Sequence, residues 1–274
     1  MPIKRLFLHA ALAALSVAMF FPFLWMAISA IKTKEEVFRF PPTLWPENAQ
    51  WHNFLEAWNA APFSIYIFNS IYTAVAIVFL QVFCGALLAY AFTQFQWRGQ
   101  NLLFGVVMAT YMLPGAATYV PSYVILSKLN LIDSHGGLIL SNMVSVFGIF
   151  LLRQAFLQVP KEMIDAARVD GAGEWKILWR ILFPLTKPTF IIFALISFVQ
   201  NYNNYLWPSL IIKSEKLYLI TIGLRQFFIQ DGAYGIQWPL VMAASTFTVL
   251  PLLILFFLAQ RFFVRGITDG GLKG

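Results

Sequence analysis

The sequence predicts an all-α polytopic membrane protein with six transmembrane helices, and three observations carry that prediction. Of 274 residues, 59% are hydrophobic and only 11% charged, against about 25% charged in an ordinary soluble domain. The mean hydropathy is +0.71, a value for a chain solvated by lipid rather than water. Six stretches, approximately 6–31, 64–92, 102–126, 138–156, 190–212 and 239–259, reach the ~20 apolar residues that a membrane-crossing helix requires. A soluble enzyme is excluded by the shortage of polar surface. The lone cysteine, Cys84, excludes a disulfide framework and a multi-cysteine metal site. His9, His52 and His135 lie far apart, and their spacing predicts no metal site.

The first stretch follows Lys4 and Arg5 as a signal peptide would. Its apolar run exceeds the roughly 7–15 residues of a cleaved segment, so it reads as an uncleaved span. The outer loop from about 32 to 63 contains Asn53-Phe54-Leu55-Glu56-Ala57-Trp58, which fits a short surface helix and a plain connector equally. Pro114-Gly115 in the middle of span three predicts a kink or an unwound turn. In the connection between spans four and five, Pro160 suits the first position of a helix and Glu162 its positive end. Gly171 suits the left-handed position that closes that helix. A second helix then runs from about Gly173 to Leu182 and stops at Pro184.

Span five carries Gln200-Asn201-Tyr202-Asn203-Asn204-Tyr205, a polar run that is costly in hydrocarbon unless satisfied. Helical spacing places Asn201, Asn204, Tyr205 and Pro208 on one face, where amides and a ring can meet a hydroxyl-rich solute. The same groups serve as interhelical hydrogen bonds, and the residues leave both roles open. Tyr111 and Pro114 in span three, and Asn142 and Ser145 in span four, are further points on such a path, with helix packing the preferred reading. The outer loop from about 213 to 238 holds Gly223, Gly232 and Gly235, which predicts mobility.

An even number of spans puts both termini on one side. That side, with the 93–101 and 157–189 connections and the span-end Arg153 and Arg261, carries 12 Lys/Arg and 5 Asp/Glu, while the other loops carry 7 of each. The whole net charge of +7 therefore falls on the terminal side, which the positive-inside rule makes cytoplasmic. Trp25, Trp45, Trp51, Trp58, Trp97, Trp207 and Trp238 lie in loops or near span ends, where amphipathic rings favour the interface.

No Gly-x-x-x-x-Gly-Lys-Ser/Thr loop is present, so no P-loop ATPase site is predicted. Gly171-Ala172-Gly173 begins like a dinucleotide loop, but Lys176 stands where the third glycine belongs. The span interiors lack the acidic residues on which proton-coupled transporters depend. Energy for uphill transport would then enter through a partner chain. Met163, Ala166, Ala167 and Asp170 share a face of the first loop helix. Its small residues admit a close partner, with Glu162, Asp165 and Arg168 at the rim. An amphipathic linker resting on lipid would show the same pattern.

Glu162, Ala166, Ala167, Asp170 and Gly171, followed by Ile181 and Phe183-Pro184-Leu185, resemble the EAA loop of binding-protein-dependent ABC importer permeases. Ala-Ala-Arg-Val-Asp-Gly-Ala and the later Pro-Leu-Thr-Lys-Pro are similar to the carbohydrate branch, and in particular to the smaller permease of maltose-type sugar importers. Asn69-Ser70, Met112-Leu113-Pro114, Asn204-Tyr205-Leu206-Trp207-Pro208 and the tail from Gln260 to Gly266 extend the resemblance along nearly the whole chain. Asp165 stands where the family often has Glu, and Phe183 where Leu is commoner; both changes are conservative.

The resemblance implies a type I ABC importer permease fold over a single domain, 1–274, with a cytoplasmic coupling loop at 158–186. It implies a sugar importer in a bacterial or archaeal cytoplasmic or inner membrane, working by alternating access, with this chain as half of the pore. The partners would be a second, homologous permease, an ATPase dimer and a periplasmic or lipid-anchored solute-binding protein. ATPase coupling would fall to Glu162, Asp165, Ala166, Ala167, Asp170 and Gly171, the substrate path to Asn201, Asn204, Tyr205 and Tyr111, and binding-protein contact to Gln226, Phe227 and Tyr234. No catalytic residue, metal or cofactor is expected in this chain, since ATP and Mg belong to the partner ATPase. The C-terminal tail, with four glycines, is expected to be an extended, adaptable peptide that reaches the ATPase. The rival readings are an importer of glycerol phosphate or another non-sugar solute, disfavoured by the lack of mid-span Arg or Lys, and an ATP-independent channel or scaffold.

Overall fold

A computed structural model describes residues 2–229 and 237–271, with side chains over 4–229 and 237–260. Among the described residues, three helices are long and apolar enough to cross a membrane: Lys4–Ser29, Phe63–Gln94 and the Trp238–Gln260 part of a longer helix. Three further pairs of shorter helices meet the same criterion together, each bent at a short break, which gives up to six spans by length and composition. By its contacts the chain divides into two units, Met1–Ile67 with Ile222–Ile254, and Phe68–Thr221 with Leu255–Gly274.

In the first unit, α1 (Pro2–Ser29) is followed by α2 (Lys34–Val37), which opens on a reciprocal cap between Thr33 and Glu36. Lys32 is buried; its ammonium donates to the Thr43 carbonyl and lies 4.6 Å from the Trp25 ring centroid. The loop segment at Asn53–Trp58 is helical, within α3 (His52–Ala60). Asn53 Nδ2 donates to the carbonyls of Ala30 (2.9 Å) and Lys32 (3.1 Å), tying α3 to the end of α1. The first turn of α4 (Phe63–Gln94) brings Tyr66 against Gly223. A Cβ on Gly223 would lie 2.1 Å from that ring. This glycine is therefore a point of close packing rather than of mobility.

The second unit contains the three broken spans. Span three is α5 (Gln100–Thr110) and α6 (Gly115–Lys128), bent by 99° at the expected Pro114-Gly115 site. With 11 and 14 residues, the halves extend ~16 and ~21 Å at 1.5 Å per residue, short of a ~30 Å hydrocarbon core. Span four is α7 (His135–Ser141) and α8 (Val146–Leu157), bent by 46°, a break that hydropathy does not announce. Asn142 Nδ2 donates back to the Leu138 carbonyl at 2.9 Å, competing with the helical ladder. Ser145 then caps α8 by accepting from the Gly148 N–H.

The connection to span five departs from expectation in two places. Pro160 is the cap of α9 (Lys161–Val169) rather than its first helical residue. The second helix does not stop at Pro184. It runs from α10 (Glu174–Ile177) through a π turn at Leu178–Leu182 into α11 (Phe183–Leu185). The Phe183 N–H reaches the Leu178 carbonyl, and this wider turn accommodates a proline ring that would clash in an α-helix. The chain turns by 83° at Thr186 into α12 (Lys187–Tyr202).

Span five is itself interrupted, with α12 ending before Asn203 and α13 (Leu206–Ile211) following. Pro208 has no N–H to offer the Asn204 carbonyl four residues earlier. That carbonyl instead accepts from Thr221 Oγ1 at 2.8 Å. Beyond α14 (Ile220–Ile229), α15 (Trp238–Gly271) continues through Gly266 and Gly270. The expected extended tail is thus helical as far as Gly271. Isolated glycines cost a helix only about 1 kcal/mol each, less than its long apolar run supplies.

Candidate functional site: the loop between spans four and five

The helix α9 has two faces of different character. Ile164 is 1% exposed and belongs to a core with Ala86, Tyr90, Leu152, Phe156 and Phe190, so this loop helix is packed onto spans two, four and five. Ile177, Leu178 and Leu182 from the following segment join the same core, and Ala167 packs against it. On the other face Met163, Ala166, Val169 and Asp170 are exposed, Val169 at 88%. The outward surface is therefore Met163-Ala166-Val169-Asp170, with Ala167 turned toward the core. Burial of one face anchors the helix, and the small side chain of Ala166 leaves the other open to close approach.

Gly171 ends α9 at φ +79°, where its N–H donates to the Arg168 carbonyl at 3.0 Å. A side chain there would meet nothing within 4 Å, so glycine is required by the backbone angle and not by space. Glu162, Asp165, Asp170 and Gly171 are all exposed.

Arg168 does not stand free at the rim. It reaches Asp165 (3.5 Å) and, across the glycine turn, both carboxylate oxygens of Glu174 (3.3 Å each). The Tyr90 hydroxyl, from the end of α4, also donates to Glu174. The Tyr90 hydrogen bond and then the Arg168 guanidinium hold the Glu174 carboxyl below the usual carboxylate range. Glu174 in turn pushes the Arg168 guanidinium further up. Glu174 and Tyr90 were not singled out from sequence. The six-residue step from Arg168 to Glu174 across Gly171 was the available signal; Tyr90, 84 residues from Glu174, left none. A groove of about 170 Å³ runs beside α9, lined by Thr93, Gln94, Phe156, Lys161, Asp165 and Arg168 among others.

The span-five residues fall differently from their helical projection. Because the helix breaks at Asn203, Asn201, Asn204, Tyr205 and Pro208 do not share one face. Asn201 Nδ2 donates to the Ser197 carbonyl (2.8 Å) and hydroxyl (3.3 Å). Ser197 donates to Gln81 Oε1, and Gln81 Nε2 donates to the Asn142 carbonyl at 2.8 Å. Trp207 Nε1 donates to Ser141 (2.9 Å) and stacks on Tyr119, centroids 5.2 Å apart. The result is a polar chain linking spans two, four and five. Its centre is Gln81, a single amide in an otherwise apolar run and the signal that sequence reading passed over. Tyr111 lies in the break of span three, 64% exposed, and takes no part in these bonds. Gln226 and Phe227 lie in α14, not in a loop tip, and Phe227 packs on Phe63 with centroids 5.5 Å apart. Tyr234 lies outside the described residues.

Residues 81–269 match the family described as "Binding-protein-dependent transport system inner membrane component". The sn-glycerol-3-phosphate transport system permease protein UgpE of Yersinia enterocolitica is 35% identical, with 96% of each chain covered. The arabinooligosaccharides transport system permease protein AraQ of Bacillus subtilis is 30% identical, covering 99% of this chain and 97% of its own. A chain from the crystal structure of a bacterial ABC transporter involved in import of the acidic polysaccharide alginate shares the fold. Its TM-score is 0.84 at 19% identity, with 96% of this chain and 97% of that chain covered.

Proposed function

We propose, from the premise that the chain belongs to the binding-protein-dependent transport system inner membrane components, that α9 is the element through which a separate ATPase drives it. The protein is a multi-pass inner-membrane permease subunit of an ABC importer. The observation that carries the proposal is the division of α9 into a buried face sharing a core with spans two, four and five and an exposed face of Met163, Ala166, Val169 and Asp170. A push on the exposed face is delivered to three spans at once, because packed cores move as units rather than deform.

In this reading ATP closes the partner dimer, α9 is carried with it, and the broken spans rock so that the pore opens outward. ADP release reverses the motion. ATP hydrolysis, with its Mg, resides wholly in the partner. To invert a 1:99 population of permease states, the ATPase must favour one state by about 10⁴-fold, or ~5.5 kcal/mol. A second, homologous permease completes the pore, a solute-binding protein delivers cargo outside, and both termini face the cytoplasm, a reading that the charge asymmetry supports.

The cargo is a sugar or oligosaccharide, by likeness to the arabinooligosaccharide permease. The higher identity to the glycerol-phosphate permease favours a second reading, in which the cargo is a polyol phosphate. One assay separates them. The complex, co-purified with its encoded partners and reconstituted, is tested for ATP hydrolysis with binding protein loaded with oligosaccharide or with glycerol 3-phosphate. Stimulation names the cargo. Solute flux without nucleotide overturns the importer reading.

A further inference from the structure

Arg153 is a cation that the coupling site does not use. It lies in the last turns of α8, and its guanidinium carbon sits 4.2 Å from the ring centroid of Phe104 on α5. Its Nε is buried without a hydrogen-bond partner, and no carboxylate among the described residues pairs with it. A buried guanidinium N–H without an acceptor is unfavourable, so the geometry asks for an anion.

The surroundings specify which. Phe104 packs on Phe92 (5.4 Å), which packs on Trp97 (6.2 Å) in the connection between α4 and α5. Trp97 is 41% exposed, and the neighbouring Arg98 is exposed. Leu103, next to Phe104 on α5, is exposed at 46%. An unpaired arginine, a second arginine, a half-exposed tryptophan and an exposed leucine together match a phosphate carrying acyl chains. They do not match a hydrated solute, which gains nothing from exposed leucine.

We infer that the Arg153–Phe104 corner, with Trp97 linked to it through Phe92 and Arg98 next along the chain, binds the phosphate of an anionic phospholipid, whose chains lie along α5. The planar guanidinium offers a fork that matches phosphate oxygens. The leaflet assignment, but not the site, rests on the orientation proposed above: the corner is then cytoplasmic, on the side where anionic lipids and basic residues meet.

The test is native mass spectrometry of the purified complex titrated with phosphatidylglycerol, phosphatidylcholine and soluble glycerol 3-phosphate. The wild type is expected to retain phosphatidylglycerol over phosphatidylcholine by about fivefold per arginine engaged. Arg153→Met removes that preference, Arg153→Lys keeps part of it, and excess glycerol 3-phosphate displaces no lipid. An unchanged preference in Arg153→Met overturns the proposal. Displacement by glycerol 3-phosphate also overturns it, assigning the site to a soluble phosphate. Should Arg153→Met not assemble, Phe104→Leu with Arg98→Gln takes its place; retention equal to wild type is again fatal to the idea. The readout uses neither ATP hydrolysis nor transport, so failure of the importer reading would leave it standing.

Discussion

Two loops in the second unit are each fastened by a carboxylate, and they are fastened in different ways. The segment after span five is pinned by its backbone. Asp133, at φ +56°, accepts the N–H groups of Lys213 (2.8 Å) and Ser214 (2.9 Å) and the Ser214 hydroxyl. His135 Nε2 donates to the Leu217 carbonyl (2.9 Å), Asn69 Nδ2 to the carbonyls of Lys216 (3.0 Å) and Tyr218 (3.1 Å), and Ser70 accepts from the Ile220 N–H (2.7 Å). The loop before span five is tied to the bundle through side chains, those of Tyr90, Glu174 and Arg168, above a buried apolar face. The first arrangement closes a loop onto its own bundle. The second fixes a helix while leaving its outer face uncovered, which is what a coupling element needs.

The largest expected effect comes from breaking the second loop at its turn. Proline at 171 cannot adopt φ +79° and removes the N–H that reaches Arg168. Gly171→Pro is expected to drop solute-stimulated ATP hydrolysis to the unstimulated rate while the complex still assembles, as size-exclusion chromatography would show. Next is the core beneath α9. A Cβ on Gly148 would fall 2.1 Å from the Phe193 ring, so Gly148→Ala should cost about 1–3 kcal/mol of stability by overpacking, read as a lower melting temperature in detergent.

Removing the inner clasp should act more gently. Glu174→Gln is expected to reduce stimulation by about twofold to fivefold, the range covered by an exposed pair worth under 1 kcal/mol. Because the native state holds Glu174 below its ordinary pKa, its contribution is complete above ~4.3. It fades as pH falls through the lowered native value. Thermal unfolding followed from pH 7 to pH 3 should therefore show a shallower acid loss in Glu174→Gln than in wild type. Smallest for function is the outer clasp. The Ser214 hydroxyl and the two backbone N–H groups likewise hold Asp133 below the usual carboxylate range. Asp133→Asn is expected to lower stability by about 1 kcal/mol and leave stimulated hydrolysis within error of wild type. A loss of stimulation equal to that of Gly171→Pro would erase the distinction between the loops.

The same contrast explains what the sequence made legible. Long unbroken apolar runs marked α1, α4 and the apolar part of α15 to within a few residues, since hydropathy over ~20 residues is all such a helix needs; the helical continuation of α15 to Gly271 was not legible. Gly171 revealed the turn because only glycine suits that angle cheaply. The breaks in spans four and five were hidden. They depend on Asn142 returning to Leu138 and on Pro208 leaving the Asn204 carbonyl to Thr221, contacts that periodicity does not register. Gly223 reads in the sequence as part of a mobile loop and is a packing contact with Tyr66, because composition cannot say what lies opposite a missing side chain. Arg168 looked like a rim charge and is turned toward Glu174, since its partner stands across a tight turn.

Cross-linking from α9 tests the central claim most directly. In a Cys84→Ala background, single cysteines replace Met163, Ala166 and Val169 on the exposed face, and Leu129, 60% exposed at the end of α6, serves as the control. The co-purified complex is treated with a short thiol cross-linker and resolved by mass. The account predicts adducts to the ATPase subunit from all three α9 positions and none from position 129. Absence of adducts from α9, or equal yield from position 129, would contradict it.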